Sequence, residues 1–322
     1  MRFRQVDIRI CRNSFNCKPY IFEMNIKRFT VALRVALFGH IFNWMWQPKD
    51  VRRRRRGYVT AKAVLDYLQQ YVPYIKDVPA DEPALPEDER IFSIWLQGED
   101  NAPGIVKACY RSIRRLCGQE LVVLDENTIW DWITLPDYIM EKWKAGRIRP
   151  AHFTDICRTE LIYRHGGIWM DATDFVTAPV PDWIMNEDFF IFMSGDRMSG
   201  AYAFIQNCFF RARKGNYLIK AWNHAIQTYW KYEESTVDYF VHQLLFRLVV
   251  ENNPKAAGLF SRMPASAQDA THALWWNYRD KPFSQETFDN VTSGAFFQKT
   301  EYKSKAAAFP SPGTFSDVIQ KM

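Results

Sequence analysis

The fold is decided by one stretch of the chain, Thr154-Asp155-Ile156-Cys157-Arg158-Thr159-Glu160-Leu161-Ile162-Tyr163-Arg164-His165-Gly166-Gly167-Ile168-Trp169-Met170-Asp171-Ala172-Thr173-Asp174. From Phe153 onward, apolar residues recur every three to five positions, which predicts a helix packed on a sheet. Gly166 and Gly167 would end this helix and turn the chain directly into a short apolar strand, Ile168 to Met170. This order predicts an α/β fold. In open α/β sheets ligands bind beyond the carboxyl ends of the strands, so Asp171 is expected at a functional site.

Charged residues on both sides of the two glycines indicate what that site does. Asp155 and Arg158 are expected one turn apart on the same helix face. Asp171 at a strand end is a good ligand for a hard divalent cation, which commonly binds one or two protein carboxylates and the oxygens of a substrate diphosphate. Each feature alone has a structural alternative, because an i,i+3 ion pair is usually a solvated helix pair and an aspartate after a strand is usually a turn residue or helix cap.

A family resemblance rests on these residues. The combination of Asp155, Arg158 and the run Gly-Gly-Ile-Trp-Met-Asp-Ala-Thr at 166–173 resembles the capsular polysaccharide synthesis glycosyltransferases, which are related to the initiating mannosyltransferases and the glucosylating toxins and carry a metal-binding "DxD" strand end. A second matching segment is Ile91-Phe92-Ser93-Ile94-Trp95-Leu96-Gln97-Gly98, followed by Asn101-Ala102-Pro103. The similarity covers most of Arg90 to Lys303. Because both segments occur in the family's order and spacing, the enzymatic interpretation is favoured.

The resemblance implies a GT-A nucleotide-diphospho-sugar transferase fold, a nucleotide-sugar donor and a Mn²⁺ or Mg²⁺ ion. It also implies three catalytic residues: Asp171 would bind the metal, Asp155 the donor sugar hydroxyls, and Arg158 the sugar or the diphosphate. Trp95 matches a position that stacks near the nucleotide base in relatives, and Leu96 beside it is assigned to the same nucleotide-sugar site. The alternative for Trp95 is a place in the core, since aromatic side chains are normally buried.

A basic segment near the C-terminus completes the predicted donor site. The segment Gln298-Lys299-Thr300-Glu301-Tyr302-Lys303 resembles the family's His-Lys-Leu-Thr-Tyr-Lys, with Gln298 in place of the histidine. Lys299 and Lys303 would neutralise the donor diphosphate as its bond breaks. Solvated surface lysines are the alternative.

The second acid of the DxD pattern is displaced in this chain. Where many such enzymes have an aspartate two residues after the first, this chain has Thr173, and the acid follows at Asp174. The capsular family is similar in having Asp-Ala-Thr. An extended chain would turn Asp174 away from Asp171, whereas a turn beginning at Ala172 would bring it back. Asp171 is therefore predicted as the indispensable metal ligand and Asp174 as a secondary one.

Composition agrees with a large α/β domain. The 322 residues are 48% apolar and 16% aromatic, which is ample for a sizeable core. The six cysteines form no C-x-x-C pair, which is typical of reduced thiols in a cytosolic protein. They are Cys11, Cys17, Cys109, Cys117, Cys157 and Cys208.

The N-terminal region concentrates the net charge of +6. Arg52 to Arg56 is an unbroken basic run, and Phe29 to Trp46 before it is apolar at helical spacing but too interrupted for a transmembrane span. It is not a signal peptide, because no cleavage site follows and the basic run lies on the wrong side. Two roles are equally favoured for this region: binding to an anionic membrane surface, and packing of the apolar helix on the catalytic domain with the arginines in solvent. No nucleic-acid-binding motif accompanies the arginines. Met24 is an alternative translation start, which would make Met1 to Glu23 extraneous.

The chain divides into three regions. Residues 1–76 form a helical and basic region, 77–89 a proline-rich linker, and 90–322 the GT-A domain. Within the domain, alternating strands and helices predict a mostly parallel sheet. Ser194 to Gly200 is predicted as a polar, flexible loop of the kind that closes over a donor or admits an acceptor. A helix is predicted from about Thr236 to Glu251, with Asp238 and His242 as a structural pair one turn apart.

The sequence therefore predicts a metal-dependent glycosyltransferase of the cytoplasm, either free or peripheral on the inner face of the membrane. Its partners would be a nucleotide-sugar donor and an oligosaccharide or lipid-linked acceptor of capsule or lipopolysaccharide, and relatives transfer with retention of configuration. No nucleic acid is expected. Two alternatives stay open: a catalytically silent homologue that acts as a membrane-associated scaffold in polysaccharide assembly, and a nucleotide-sugar hydrolase.

Overall fold

A computed structural model describes residues 26–41, 48–79, 89–195 and 204–322. Its centre is a five-stranded sheet of order β2-β1-β3-β6-β5, beside a two-stranded sheet of β4 and β7. The strands are β1 (Ile91–Ile94), β2 (Leu121–Leu124), β3 (Gly167–Met170), β4 (Asp174–Val176), β5 (Phe189–Met193), β6 (Ile205–Ala212) and β7 (Phe297–Lys299). In the larger sheet, β6 runs against the other four strands. The predicted α/β class and mostly parallel sheet are confirmed.

Fourteen α-helices surround the sheets within the described ranges. They are α1 (Ile26–Arg34), α2 (Lys49–Leu68), α3 (Val72–Ile75), α4 (Gly104–Leu116), α5 (Asp137–Lys144), α6 (Pro150–His165), α7 (Asp182–Met185), α8 (Tyr217–Tyr232), α9 (Val241–Asn252), α10 (Pro254–Phe260), α11 (Asp269–Tyr278), α12 (Gln285–Thr292), α13 (Lys305–Ala308) and α14 (Phe315–Lys321). A π-helical turn, Val35–His40, continues α1. No described helix is both long and apolar enough to cross a membrane.

The junction of α6 and β3 is built as the sequence predicts. Pro150 opens α6, where its missing N–H costs no hydrogen bond, and Gly166 ends it. Gly166 and Gly167 have φ of 75° and 91°, which side chains with a Cβ rarely adopt. Space is also short, because a Cβ on Gly166 would lie 2.6 Å from the backbone nitrogen of Lys214. The chain can therefore pass from a buried helix into the central strand without a loop.

The core is continuous on both faces of the sheet. All four residues of β3 are buried, as is typical of a strand covered on both sides by helices. Helix α6 packs against β1 and β3 on one side and against α8 on the other. The largest fully buried side chains include Trp169, Trp222, Trp275, Phe92 and Phe210.

Parallel pairing fixes where the site lies. Strand β1 pairs in parallel with β3, with Phe92 opposite Trp169. The carboxyl ends of both strands therefore meet at one edge of the sheet. Trp95 follows β1 and Asp171 follows β3 at that edge, so two residues far apart in sequence share one region of the surface.

One prediction about the later helices is wrong. Helix α9 begins at Val241, because Asp238 precedes it and accepts a hydrogen bond from the Phe240 amide in a turn. Asp238 and His242 are thus not one turn apart on a helix, and that prediction is wrong.

Three further predictions fall on residues that the structure does not describe, which are 1–25, 42–47, 80–88 and 196–203. They are the start at Met24, most of the linker and most of the 194–200 loop. The four described cysteines are buried and free.

The N-terminal helices pack on the catalytic domain. Arg28 on α1 pairs with Glu233 at 2.5 Å, and Tyr71 donates a hydrogen bond to the same carboxylate at 2.5 Å. Asn253 donates to the carbonyl of Ile75 at 2.9 Å. One face of α1 remains exposed and apolar, with Ile26, Phe29 and Leu33 exposed by 81%, 49% and 44%. The predicted packing on the catalytic domain is thus observed, and binding to a membrane surface stays a prediction.

Candidate active site

Arg158 joins the two predicted catalytic carboxylates. Its Nη2 lies 3.3 Å from Asp155 Oδ1 and its Nη1 lies 3.2 Å from Asp171 Oδ1. Nη1 also donates to the carbonyl of Asn207 at 2.7 Å, and the guanidinium stacks over Trp169 at 4.7 Å. The helix before the glycines and the strand after them thus converge on one side chain.

Lys299 extends this group toward the second sheet. Because Asp174 and Lys299 face each other across the β4–β7 pair, the ammonium reaches both aspartates of the strand end. It lies 2.6 Å from Asp171 Oδ2 and 3.2 Å from Asp174 Oδ1. We call Asp155, Arg158, Asp171, Asp174 and Lys299 the charged network. It contains three carboxylates and two cations, all at least three-quarters buried.

Asp174 is brought back to Asp171 by a tight turn. Its amide donates to the Asp171 carbonyl at 3.0 Å, and its Oδ2 accepts from the Asp171 amide at 3.1 Å. The turn, rather than the alternating extended chain, is what the structure shows. Asp174 is fully buried, whereas the side chain of Asp171 is 23% exposed. Asp171 is therefore the more accessible of the two candidate metal ligands.

Burial and neighbouring charges separate the pKa values of these groups. Although burial alone would raise the pKa of Asp171, Arg158 and Lys299 hold it below its usual value. For Asp174, burial dominates and raises the pKa to about 7 against the attraction of Lys299, and the charge of Asp171 adds to the rise. Burial would lower the pKa of Lys299, but the two aspartates raise it, so this lysine stays charged.

Asn207 and His242 form a second layer that sequence reasoning missed. The Asn207 amide donates to Asp155 Oδ1 at 3.1 Å and to His242 Nδ1 at 2.7 Å. Burial opposes ionisation of Asp155, yet His242 and Arg158 hold its pKa below the usual value. Burial lowers the pKa of His242 to about 3, so its ring is neutral at pH 7 and Arg158 supplies the lasting positive charge. Only the pairing of β6 with β3 brings Asn207 here, and no sequence signal marks it.

Trp95 follows β1, at the same edge of the sheet as Asp171. Its ring meets Tyr302 edge to face, with centroids 5.0 Å apart, and its buried Nε1 has no hydrogen-bond partner among the described residues. Leu96 is buried, and its carbonyl accepts from the Glu126 amide at 3.2 Å. The structure thus places Trp95 partly in the packing and partly at the site edge. Neither predicted nucleotide contact is tested by this geometry.

The basic segment near the C-terminus divides into a site residue and its supports. Lys303 is exposed, and its ammonium lies 5.4 Å from the Tyr302 ring rather than in the charged network. Gln298 is buried, donates to the Ala270 carbonyl at 3.0 Å and accepts from the Leu274 amide at 3.0 Å. Gln298 is therefore a structural anchor that fixes β7, and it holds Lys299 against the aspartates.

Metal ligands are few at this site. Within the described ranges, no group of three or more histidine, cysteine, aspartate or glutamate side chains could hold an ion. Asp171 and Asp174 are the carboxylates nearest each other at the strand end, and one ammonium bridges them. Mg²⁺ commonly takes one or two protein carboxylates and completes its shell with water and substrate phosphates. The pair fits an ion that is completed by substrate, not one held by protein alone.

The chain is similar to known proteins over most of its length. The profile of the family described as "Capsular polysaccharide synthesis protein" matches residues 45–319. Among curated proteins, "Glycosyltransferase afumC" of Aspergillus fumigatus is 26% identical over 222 residues, which cover 64% of this chain and 54% of that protein. The chain thus spans about half the length of this relative. Among solved structures, "PaToxG Glycosyltransferase" aligns with a TM-score of 0.38 and 13% identity over 64% of this chain and 83% of that chain, a likeness too distant for conclusions.

Proposed function

The chain belongs to the family of capsular polysaccharide synthesis proteins, and from this premise we propose that it is a glycosyltransferase of GT-A type using a nucleotide-sugar donor. One observation carries the proposal: a single guanidinium joins Asp155 and Asp171 at the carboxyl end of β3. Such an edge is where α/β proteins bind their ligands. The sequence relative that is named a glycosyltransferase supports the same reaction class.

The donor would lie across the ends of β1 and β3. Ionised Asp155 is an acceptor for sugar hydroxyls, and the planar fork of Arg158 matches a sugar or diphosphate oxygen. Trp95 and Leu96 would border the base, and the unpartnered indole N–H of Trp95 would gain a hydrogen bond there. Lys299, and Lys303 after a movement of its exposed side chain, would neutralise the diphosphate. These groups act on charge that grows when the bond to the anomeric carbon breaks.

We further propose that Asp171 and Asp174 hold Mn²⁺ or Mg²⁺ together with the donor diphosphate. The accessible Asp171 would be the main ligand and the buried Asp174 the secondary one. When bound, the ion supplies positive charge that stabilises the leaving diphosphate. Full activity in excess chelator after dialysis would contradict this part of the proposal.

For the acceptor we propose a capsular or lipopolysaccharide glycan, with retention of the anomeric configuration. Family membership supports the capsular acceptor. The anomeric proton of the product, compared with that of the donor by NMR, would show whether configuration is retained.

We propose that the protein is localised at the cytoplasmic face of an anionic membrane. The exposed apolar side chains of α1 and the exposed arginines Arg53 to Arg56 combine apolar area with positive charge, which suits such a surface. Buried free cysteines agree with a reducing compartment.

One assay tests the reaction class. Nucleotide sugars are first screened by thermal shift with Mn²⁺, because a ligand of the folded state raises the Tm. The best donor is then incubated with and without glycan acceptor, and released nucleoside diphosphate and product are measured. Transfer to the acceptor is the expected result. Hydrolysis that acceptor does not redirect would indicate a nucleotide-sugar hydrolase, and neither reaction would indicate a silent scaffold.

A further inference from the structure

A lysine side chain already places a positive charge where the divalent ion would bind. Lys299 Nζ lies 2.6 Å from Asp171 and 3.2 Å from Asp174, between the two carboxylates that a divalent ion would need. Its side chain is only 17% exposed, so the ammonium is held by the protein rather than by solvent.

The position of Lys299 is fixed from both sides in sequence. Thr300 donates from its amide and its hydroxyl to the Thr173 carbonyl, at 2.8 and 2.9 Å. On the other side, the buried amide of Gln298 is tied to α11. These hydrogen bonds hold the backbone of Lys299 in place, whereas its long, flexible side chain can turn toward the donor.

We infer that Lys299 is a built-in competitor of the divalent ion, which holds Asp171 and Asp174 until the donor diphosphate draws its ammonium away. This inference rests on the proposed function and adds an order to it. The ion alone would bind weakly, because it must displace a charge of the same sign from both carboxylates. Diphosphate offers the ammonium a new partner and the ion further ligands, so ion and donor bind cooperatively, each raising the affinity of the other by the same factor.

The same competition protects the empty site. Without Lys299, two buried carboxylates would face each other with only Arg158 nearby to compensate, and an unpaired buried charge is strongly destabilising. Lys299 thus stabilises the fold when no ligand is bound, and it keeps the affinity of the two aspartates for the ion low until a diphosphate binds.

The test measures Mn²⁺ binding in the absence of any donor. Free Mn²⁺ is followed by electron paramagnetic resonance in the whole chain, in Lys299→Gln and in Lys305→Gln. The last variant removes the same charge from an exposed lysine of the same region. Lys299→Gln is expected to bind Mn²⁺ roughly tenfold or more tightly than the unaltered chain, because a like charge close to the ion is gone. Lys305→Gln should match the unaltered chain.

Adding UDP or GDP separates this inference from the proposed function. In thermal shift, either nucleotide with Mn²⁺ should stabilise the unaltered chain more than the sum of the two alone. In Lys299→Gln this excess should be smaller, because only the ligands that the diphosphate gives the ion still couple the two. If the unaltered chain shows Mn²⁺-dependent nucleotide binding but Lys299→Gln binds Mn²⁺ no more tightly, Lys299 is no competitor and the proposed function stands. If no variant binds Mn²⁺ with or without nucleotide, both the metal proposal and this inference fail.

A second measurement needs no variant and covers the case that Lys299→Gln does not fold. Lysines of the unaltered chain are acetylated briefly and quantified by mass spectrometry, with and without saturating Mn²⁺. Acetylation of Lys299 should rise when Mn²⁺ takes its carboxylates, whereas acetylation of Lys305 should not change. Equal labelling of Lys299 while Mn²⁺ is bound would overturn the inference.

Discussion

At the scale of single residues, the site depends on different exposure of two neighbouring aspartates. Asp171 presents a partly open carboxylate, while Asp174 is fully buried and accepts the Asp171 amide. The first can reach a ligand in solution, and the second shapes the turn that holds the first. We therefore expect the two aspartates to contribute unequally to the proposed reaction.

We expect Asp171→Asn to lower kcat by about 100-fold or more, the usual order for loss of one preorganised electrostatic group, with the fold retained. Asp174→Asn should lower kcat less and raise the Mn²⁺ concentration needed for half activity, since its side-chain carbonyl oxygen can still accept the hydrogen bond from the backbone N–H of Asp171. Activity is measured against Mn²⁺ for both variants, with circular dichroism as the control for folding. A dead Asp174→Asn beside an active Asp171→Asn would reverse the two roles.

The buried His272 makes the free energy of unfolding depend on pH. Burial, with Lys299 nearby, lowers its pKa from 6.5 to about 4 despite the opposing charge of Asp269. Its Nε2 faces the Gln206 amide nitrogen at 3.2 Å, and its Nδ1 faces the Gln268 carbonyl at 3.3 Å. These contacts suit the neutral ring that carries its proton on Nδ1.

Because the unfolded chain takes up the His272 proton first, the free energy of unfolding should fall as pH drops from about 6.5 to 4, by on the order of 3 kcal/mol from this group. Above pH 6.5 the group has no effect. Urea unfolding at several pH values should show that the free energy of unfolding depends on pH less in His272→Gln, because this destabilising contribution is gone. The buried His242 acts in the same direction as His272, and Asp174, whose pKa is raised to about 7, acts in the opposite direction. Parallel curves for the two proteins would contradict this assignment.

At the scale of elements, the α6–β3 junction carries the site. Its glycines could be predicted from sequence, because positive φ has a strong residue signature. The same is true of the short apolar strand after them, which was predicted at Ile168 to Met170 and forms β3. The contacts of Asn207 and Lys299 could not be predicted, because they depend on strand pairs joined across long stretches of chain. The start of α9 was missed because the Asp238 turn competes with the helix.

Gly166→Ala should lower the free energy of unfolding by about 1–3 kcal/mol or more, from backbone strain and the close approach of Lys214. Activity should fall with it, since the junction positions Asp171 relative to Arg158. Gly118→Ala is the matched control, because a Cβ there meets no atom within 4 Å, and it should change stability by less than about 0.5 kcal/mol. Urea denaturation of both variants decides the matter.

At the scale of the whole molecule, the N-terminal helices have one face on the catalytic domain and one apolar face toward solvent. Removing them would leave Glu233 without Arg28 and uncover the core, so point variants are the better probe of membrane binding. A surface that uses both charge and apolar area should respond to changes in each.

We expect the chain to bind anionic vesicles, to release them as salt rises, and to lose binding in both Ile26→Ser/Leu33→Ser and Arg53→Glu/Arg54→Glu. Phe309→Ser is the control, because Phe309 is 78% exposed in another part of the molecule. Vesicle co-sedimentation measures the bound fraction. Unchanged binding by both double variants would show that α1 and the arginines merely face solvent.

The pairing of β4 with β7 has a consequence for how the protein is made. Asp174 and Lys299 stand opposite each other in that pair although about 125 residues separate them in the chain. At a synthesis rate of about 5–20 residues per second, the ribosome adds Lys299 roughly 6 to 25 s after Asp174. For that interval the nascent chain carries its acidic strand end without the lysine. The charged network therefore cannot form earlier in synthesis than the addition of Lys299, and until then Asp171 and Asp174 have no ammonium from β7 between them.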